Sequence, residues 1–291
     1  MTAASGESAR RASPPTPARL TVKNIRARKG RDKIVALTAY SAPIAALIDP
    51  AVDMILVGDS LGMVVHGLPT TVGVTLEMMI LHGRAVMRGS ARALVAVDLP
   101  FGSYEASPQQ AHAAAVRVMR ETGCQAVKVE AGVALAATVA FLVARGIPVV
   151  GHVGLRPQAA NVEGGFRVKR SALEREMALA DARAVDEAGA FALVVEGVAA
   201  DLAEAITGAV AAPTIGIGAS PACDGQVLVT DDMIGLFEWT PKFVRRYAAM
   251  RDLVRDAVAA YAADVRGGAF PGPAEMYDLA AKGAAAAGRR R

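Results

Sequence analysis

The sequence predicts a single (β/α)8 barrel of the TIM type. Short runs rich in Val, Ile and Leu recur along the chain, and longer Ala-rich segments with a helical period lie between them. The length agrees, because 291 residues accommodate such a barrel, which typically takes about 250 residues as one domain. We therefore expect parallel strands closed into a barrel, with helices outside it.

The strand candidates share a near-continuous apolar character, which is typical of parallel strands that are buried on both faces. They are residues 33–39, 53–58, 93–98, 126–130, 148–152, 192–196, 214–217 and 227–230. An open dinucleotide-binding sheet needs a G-x-G-x-x-G turn after a strand, and no candidate strand is followed by one. The closed barrel is therefore favoured over the open sheet.

Helix candidates lie between the strands, and their ends carry capping signals. They are residues 75–88, 107–121, 171–187 and 241–265. Thr75 is a candidate cap, and Pro108 lies at a first helical position that is followed by Gly123 beyond the end. Ser171 and Glu174 have the spacing of a capping box.

Charge and cysteine content exclude several classes of protein. The net charge is only +4 and aromatic residues make up 4%, so a basic surface with stacking aromatics for nucleic acid is not expected. No apolar run reaches the roughly 20 residues that span a bilayer. Cys124 and Cys223 are isolated, and two buried free thiols in a reducing cytoplasm are favoured over one long-range disulfide.

The two ends of the chain differ in composition from the region between them. We expect a disordered N-terminal tail at 1–20, a catalytic barrel at 21–278 and a disordered basic tail at 279–291. The first 20 residues are rich in Ser, Arg and Pro, a weak similarity to a transit peptide. Prolines 14, 15 and 17 would break an amphipathic helix there, so a tail on a cytoplasmic protein is the favoured interpretation.

Polar residues end most of the candidate strands. All the strands of such a barrel run in one direction, so these side chains converge on one mouth. They are Asp59, Ser60, Asp98, Lys128, Glu130, His152 and Glu196. Each alone has a structural explanation, such as a helix cap or a hydrogen-bonded histidine. Together they are costly to bury unless they are paired or bind a metal, which favours a functional site.

The residue types in this set indicate a hard cation. Oxygen ligands without cysteine favour Mg²⁺, which keeps several waters and uses few protein ligands. A Mg²⁺ that chelates an α-keto acid would stabilise the enolate that forms when the adjacent carbon loses a proton. A carboxylate opposite the metal could accept that proton if burial raises its pKa.

The segment 57–63, Val-Gly-Asp-Ser-Leu-Gly-Met, resembles the signature of the ketopantoate hydroxymethyltransferase family, also called 3-methyl-2-oxobutanoate hydroxymethyltransferases. The resemblance extends over roughly residues 21–272. Further matches follow in order at 37–40, 98–101, 127–130, 151–155, 157–158, 195–196, 216–219, 224–229, 241–243 and 268–272.

This resemblance implies a role for each residue of the mouth. Asp59 and Asp98 would be Mg²⁺ ligands, and Glu130 would belong to the metal site through a water molecule. The keto acid would contact Asp59, Ser60, Asp98, Lys128 and His152. Glu196 matches the general base of the family; the alternatives for Glu196 are a helix cap or a partner of Lys128.

The resemblance also implies the reaction and the assembly. The enzyme would transfer a hydroxymethyl group from 5,10-methylenetetrahydrofolate to 3-methyl-2-oxobutanoate through a Mg²⁺-bound enolate, giving 2-dehydropantoate for pantothenate biosynthesis. The family forms homodecamers, and its barrel is of the phosphoenolpyruvate/pyruvate type. Two alternatives are a Mg²⁺-dependent α-keto-acid lyase or phosphomutase on the same barrel and a non-catalytic paralogue. Ser41, Ala131 and Ser220 depart from the family pattern in loops, which affects the expected folate pocket rather than the ligands.

Overall fold

A closed barrel of eight parallel strands, in sequence order, is the core of the protein. The computed structural model describes residues 18–165 and 171–277. The strands are β1 Ile34–Thr38, β2 Met54–Val57, β3 Leu94–Asp98, β4 Ala126–Glu130, β5 Val149–Gly154, β6 Ala192–Glu196, β7 Thr214–Ile217 and β8 Gly225–Leu228. Strand β8 pairs with β1 and closes the barrel, so the predicted fold class is confirmed.

Helices alternate with the strands along the chain, and three of the predicted helix starts carry their caps. The helices are α1 Val22–Arg26, α2 Ala42–Ile48, α3 Leu61–Val64, α4 Leu76–Gly89, α5 Pro108–Thr122, α6 Ala136–Val143, α7 Ala160–Glu163, α8 Ala172–Glu187, α9 Ala200–Ala209, α10 Thr230–Met233 and α11 Met250–Gly267. Short 3₁₀ turns lie at Thr71–Gly73, Val133–Leu135 and Pro157–Ala159. Thr75 and Ser107 cap α4 and α5, and Ser171 with Glu174 forms the predicted capping box of α8.

Side chains of each strand alternate between two apolar layers. Leu94 and Ala96 of β3 pack in the barrel interior, whereas Val95 and Val97 pack against the surrounding helices. Because the period is two residues, the next interior position on β3 is Asp98. The interior positions therefore lead directly to the polar groups at the carboxyl ends of the strands.

Strand β8 begins earlier than the sequence predicts. It starts at Gly225, whose backbone passes so close to β1 that a Cβ there would lie 2.4 Å from the carbonyl oxygen of Ile34. At the other end, the Thr230 N–H donates to the hydroxyl of Thr38 at 3.1 Å, and α10 begins at that residue. Glycine at the start and the side-chain contact at the end shift the strand by two residues from the predicted 227–230.

A second compact unit begins at Asp231. Its long helix, α11, starts at Met250, so the predicted helix of 241–265 is wrong for its first nine residues. The N–H groups of Tyr247 and Met250 donate to the carbonyls of Met233 and Ile234, at 2.8 and 3.0 Å. These two N–H groups therefore donate to residues 233 and 234 and not to a preceding turn of the same helix, and the backbone of 241–249 is not helical.

Three further predictions concern the cysteines, membrane-spanning segments and the two tails. Cys124 and Cys223 are buried free thiols, as expected. Within the described residues no helix is both long and apolar enough to cross a membrane.

The predicted tails lie largely outside the described residues and stay predictions. Arg19, inside the predicted 1–20 tail, donates to the Ala93 carbonyl at 2.7 Å, so contacts with the barrel begin before residue 21.

Candidate active site

The carboxyl ends of five neighbouring strands, β2 to β6, bring the predicted site residues together at one mouth of the barrel. The residues that line it in strand order are Asp59 and Ser60 after β2, Asp98 at the end of β3, Lys128 and Glu130 on β4, His152 on β5 and Glu196 at the end of β6. All but Ser60 and Glu196 are fully buried. The prediction that these side chains meet therefore agrees with the geometry.

A buried ion pair anchors one side of the mouth. Asp98 and Lys128 are opposite each other in the sheet register, and Lys128 Nζ donates to Asp98 Oδ2 at 2.8 Å. The Asp59 N–H donates to the same oxygen at 3.1 Å. The other oxygen, Asp98 Oδ1, is buried and accepts no hydrogen bond from any described residue. An unpaired buried carboxylate oxygen is costly, which marks a place for a cation or a donor from a ligand.

Among the described residues, the mouth holds four carboxyl groups, those of Asp59, Asp98, Glu130 and Glu196, and one ammonium group, that of Lys128. Burial and the neighbouring Asp98 raise the pKa of Asp59 to about 7. Burial and the charge of Asp59 raise the pKa of Glu130 well above its usual range. Burial alone would lower the pKa of Lys128, but the carboxylates of Asp98 and Asp59 outweigh it and raise that pKa. One ammonium group therefore faces several carboxyl groups, and a bound cation would stabilise their ionised forms.

His152 lies between two carboxylates on the neighbouring strands. Its Nε2 is 3.2 Å from Glu196 Oε2, and its Nδ1 is 3.6 Å from Glu130 Oε1, without hydrogen-bond geometry to any described residue at either nitrogen. Burial, together with the charge of Lys128, lowers the pKa of His152 although Glu196 opposes the shift. The imidazole is therefore neutral near pH 7, and Lys128 is paired with Asp98 rather than with Glu196.

Glu196 is the carboxylate of this set that is open to a ligand. Its side chain is 18% exposed, compared with 4% for Glu130 and 1% for Asp98. It ends β6, where Leu193 and Val195 pack outward and Val194 packs inward. The same alternation carries Glu196 to the interior side of the strand, so its carboxylate faces the mouth from an apolar wall.

Ser60 is held by Tyr40, the last residue of the segment 37–40 that resembles the family. The hydroxyl groups of Ser60 and Tyr40 lie 2.8 Å apart. The carbonyl oxygen of Tyr40 is 2.7 Å from His82 Nδ1 on α4, so that ring nitrogen carries the proton and donates. The first two strand ends are thus joined to α4 through Tyr40.

Gln158 and Tyr104 are buried parts of the site that sequence reasoning did not assign. Gln158 Nε2 donates to Asp59 Oδ2 at 2.8 Å, and its backbone N–H donates to Glu130 Oε2 at 3.1 Å. The Tyr104 hydroxyl donates to Gln158 Oε1 at 2.7 Å. Burial and the charge of Glu130 raise the pKa of Tyr104, so its hydroxyl keeps its proton. The sequence signal for Gln158 was its position shortly after β5, at the carboxyl end of the barrel where the charged residues lie.

Comparison with known proteins identifies the family. A family model described as ketopantoate hydroxymethyltransferase matches residues 19–273. The chain belongs to the ketopantoate hydroxymethyltransferase family. The 3-methyl-2-oxobutanoate hydroxymethyltransferase of Hyphomonas neptunium is 65% identical over 266 residues, which are 91% of this chain and 97% of that protein. The protein of the same name from Agrobacterium fabrum is 60% identical over 263 residues, 90% and 94% of the two chains.

Solved structures of more distant proteins share the fold. Phosphonopyruvate hydrolase, solved with oxalate and Mg²⁺, aligns with a TM-score of 0.55 at 16% identity, covering 89% of this chain and 93% of that one. A 2,3-dimethylmalate lyase, a member of the PEP mutase/isocitrate lyase superfamily, aligns with a TM-score of 0.55 at 17% identity over 88% and 91% of the two chains. These likenesses show the barrel fold, and the family match confirms the prediction that this chain is an enzyme of a transferase family.

Proposed function

We propose that this enzyme transfers a one-carbon unit from 5,10-methylenetetrahydrofolate to 3-methyl-2-oxobutanoate, giving 2-dehydropantoate and tetrahydrofolate, in pantothenate biosynthesis. The names of relatives at 56–65% identity support the acceptor and the product type. The observation that carries the proposal is the buried mouth, where Asp98 Oδ1 is unpaired and Lys128 faces an excess of carboxylates. That charge pattern suits a divalent cation and an anionic keto acid.

The side chains of the mouth fit Mg²⁺. Their donors are carboxylate oxygens, which a hard cation prefers, and Asp59 and Asp98 would hold the ion. Among the described residues no three side chains of His, Cys, Asp or Glu already form a metal centre. Mg²⁺ needs no such centre, because it binds through one or two carboxylates and completes its shell with water and substrate. Glu130 would then act on the ion through a water molecule.

Bound at this position, Mg²⁺ would act as a Lewis acid that polarises the keto group and so acidifies the neighbouring C3–H. We assign the removal of the C3 proton to Glu196, the most exposed carboxylate of the set beside the neutral His152. The carbon that loses this proton forms the new bond to the folate-borne methylene, and water supplies the hydroxyl oxygen of the product. Lys128, fixed by Asp98, would face the negative charge of the keto acid together with Ser60.

An assay of product formation tests the proposal as a whole. With 3-methyl-2-oxobutanoate, methylenetetrahydrofolate and Mg²⁺ present, we expect 2-dehydropantoate to form, and omission of either the folate or the metal to stop it. Turnover of the keto acid without folate would favour the lyase or phosphomutase alternative. No turnover of any α-keto acid would favour the non-catalytic alternative.

From the resemblance to the family we also propose that the enzyme is located in the cytoplasm and that it assembles into a homodecamer. Light scattering of the purified enzyme tests the second, with a mass near ten times the 30.0 kDa of one chain as the expected result.

A further inference from the structure

The turn after β5 carries Gln158 over the mouth of the barrel. Gly154 has a φ of 95°, and a Cβ at this residue would lie 2.3 Å from the Glu196 carbonyl oxygen. Only glycine accepts both conditions without strain, so the chain bends sharply here and continues into the 3₁₀ turn Pro157–Ala159. Gln158, the second residue of that turn, is 6% exposed and lies between Asp59 and Glu130.

The carboxamide of Gln158 has one possible orientation. Its two Nε2 hydrogens go to Asp59 Oδ2 at 2.8 Å and to the Leu99 carbonyl at 3.0 Å, and its Oε1 accepts from the Tyr104 hydroxyl. A rotation by half a turn would put Oε1 against two acceptors, which is unfavourable. These three hydrogen bonds therefore fix the carboxamide with its nitrogen towards Asp59.

The backbone of the same residue binds a second carboxylate. The first residue of a helical turn has an N–H without a partner in the turn, and Pro157 has no N–H at all. The N–H of Gln158 is thus the next one available, and it donates to both oxygens of Glu130, at 3.1 and 3.3 Å. One residue thereby holds the carboxylates that follow β2 and end β4.

We propose that Gln158 is a positioning residue that holds Asp59 and Glu130 in the arrangement that binds the divalent cation, with Tyr104 orienting its carboxamide. The inference rests on the proposed function. A neutral donor suits this place, because it restrains and stabilises a carboxylate without cancelling the negative charge that attracts a cation. A lysine or arginine would neutralise Asp59 and compete with the metal.

The direct test is Gln158→Met, which keeps the length of the side chain and removes the hydrogen bonds of the carboxamide to Asp59, Leu99 and Tyr104, while the backbone N–H can still donate to Glu130. Calorimetric titration of Mg²⁺ in the presence of 3-methyl-2-oxobutanoate should give an affinity about 10- to 100-fold weaker than wild type, the usual loss when a partner of a metal ligand is removed. Turnover should recover at saturating Mg²⁺, which a damaged fold would not do. An unchanged Mg²⁺ affinity would overturn the proposal.

Gln125→Met is the matched control. The Gln125 carboxamide accepts from the Val95 N–H at 3.0 Å and donates to the Gly123 carbonyl at 2.9 Å, at the amino end of the barrel. This variant should lose melting temperature and keep wild-type Mg²⁺ affinity. Equal losses of affinity in both variants would also overturn the proposal, since the effect would then be general.

A milder variant serves if Gln158→Met does not fold. Gln158→Asn keeps the amide on a side chain that is one methylene shorter, so it cannot reach Asp59 from the same backbone, and weaker Mg²⁺ binding is again expected. The wild-type measurements separate the two proposals. Wild type without Mg²⁺ binding or product formation would overturn the proposed function, whereas a normal wild type with normal Gln158 variants would overturn only the role of Gln158.

Discussion

Buried aspartates lie at both ends of the barrel, and their surroundings differ. At the amino end, Asp49 accepts hydrogen bonds from the Ser90 hydroxyl at 2.6 Å and from the N–H groups of Ala91, Arg92 and Ala93 at 2.8–3.0 Å. Both of its oxygens are used. Burial would raise the pKa of Asp49, but these hydrogen bonds outweigh it and lower that pKa. The carboxylate of Asp49 is therefore stable as an anion without a metal.

Asp224 repeats this pattern before β8. It accepts from the N–H groups of Gly30 and Thr214, both at 2.8 Å, and pairs with Lys29 at 3.0 Å. These contacts lower its pKa against the effect of burial. At the opposite end Asp59 has a raised pKa and Asp98 an unpaired oxygen. The aspartates at the amino end thus stabilise the fold, whereas those at the carboxyl end remain able to bind a ligand.

The largest expected effect of a substitution concerns Glu196. Glu196→Gln keeps the shape but cannot accept a proton, so turnover should fall by roughly 10²–10⁴-fold, the scale of general-base removal. Mg²⁺ binding and melting temperature should stay near wild type. Exchange of the C3 proton of 3-methyl-2-oxobutanoate in D₂O without folate, followed by NMR, measures the step directly.

Two outcomes of that exchange experiment would contradict the assignment. Exchange at the wild-type rate in Glu196→Gln would place the base elsewhere, with His152 as the next candidate. Loss of keto-acid binding with normal exchange in each complex would make Glu196 a binding residue.

The next effect concerns the two aspartates that would hold the metal. Asp59→Asn and Asp98→Asn should weaken Mg²⁺ and 3-methyl-2-oxobutanoate binding together, by more than the ~10–100-fold expected for an indirect partner. Without metal, Asp59→Asn should not destabilise the protein, because it removes one of several like charges. Asp98→Asn should destabilise it, since Lys128 would lose its buried partner. Calorimetry and thermal melts measure both; unchanged Mg²⁺ binding in either variant would exclude that residue as a ligand.

A substitution at the amino end should reverse this pattern. Asp49→Asn places an NH₂ group next to N–H and O–H donors. We therefore expect the free energy of unfolding to fall by about 1.5–3 kcal/mol or more, since this is the range for one hydrogen bond to a charged group. The kinetic constants of the folded enzyme should not change. Urea unfolding and steady-state kinetics measure the two sides. A kinetic defect without loss of stability would break the contrast between the ends.

The smallest effect is a dependence on pH. The folded-state pKa of Asp49 lies below its unfolded value, so the unfolded chain binds more protons in the interval between them. The stabilisation is therefore fully present above the usual aspartate pKa of about 3.9 and is lost as pH falls through the folded-state pKa. The gap in unfolding free energy between wild type and Asp49→Asn should shrink below about pH 4. A gap that stays constant down to pH 3 would refute this.

The period of two residues in the strands and the polar residues at their ends were enough to predict the barrel and the charged residues of its mouth, but not Gln158 and Tyr104. A buried strand has a period of two residues, so Lys128 and Glu130 had to share a face, and strand-end polar residues had to meet where parallel strands end. The capping box at Ser171 was equally local. These features depend on near neighbours along the chain, which a sequence displays directly.

Only the tertiary structure decided which groups touch. The register between β3 and β4 pairs Asp98 with Lys128, and the register between β5 and β6 brings Glu196 beside His152. No local pattern encodes a register between separate strands. The start of α11 at Met250 depends on the carbonyls of Met233 and Ile234, which accept hydrogen bonds from the N–H groups of Tyr247 and Met250. Gln158 reaches Asp59, 99 residues away in the chain, only because the turn at Gly154 sends it over the closed barrel.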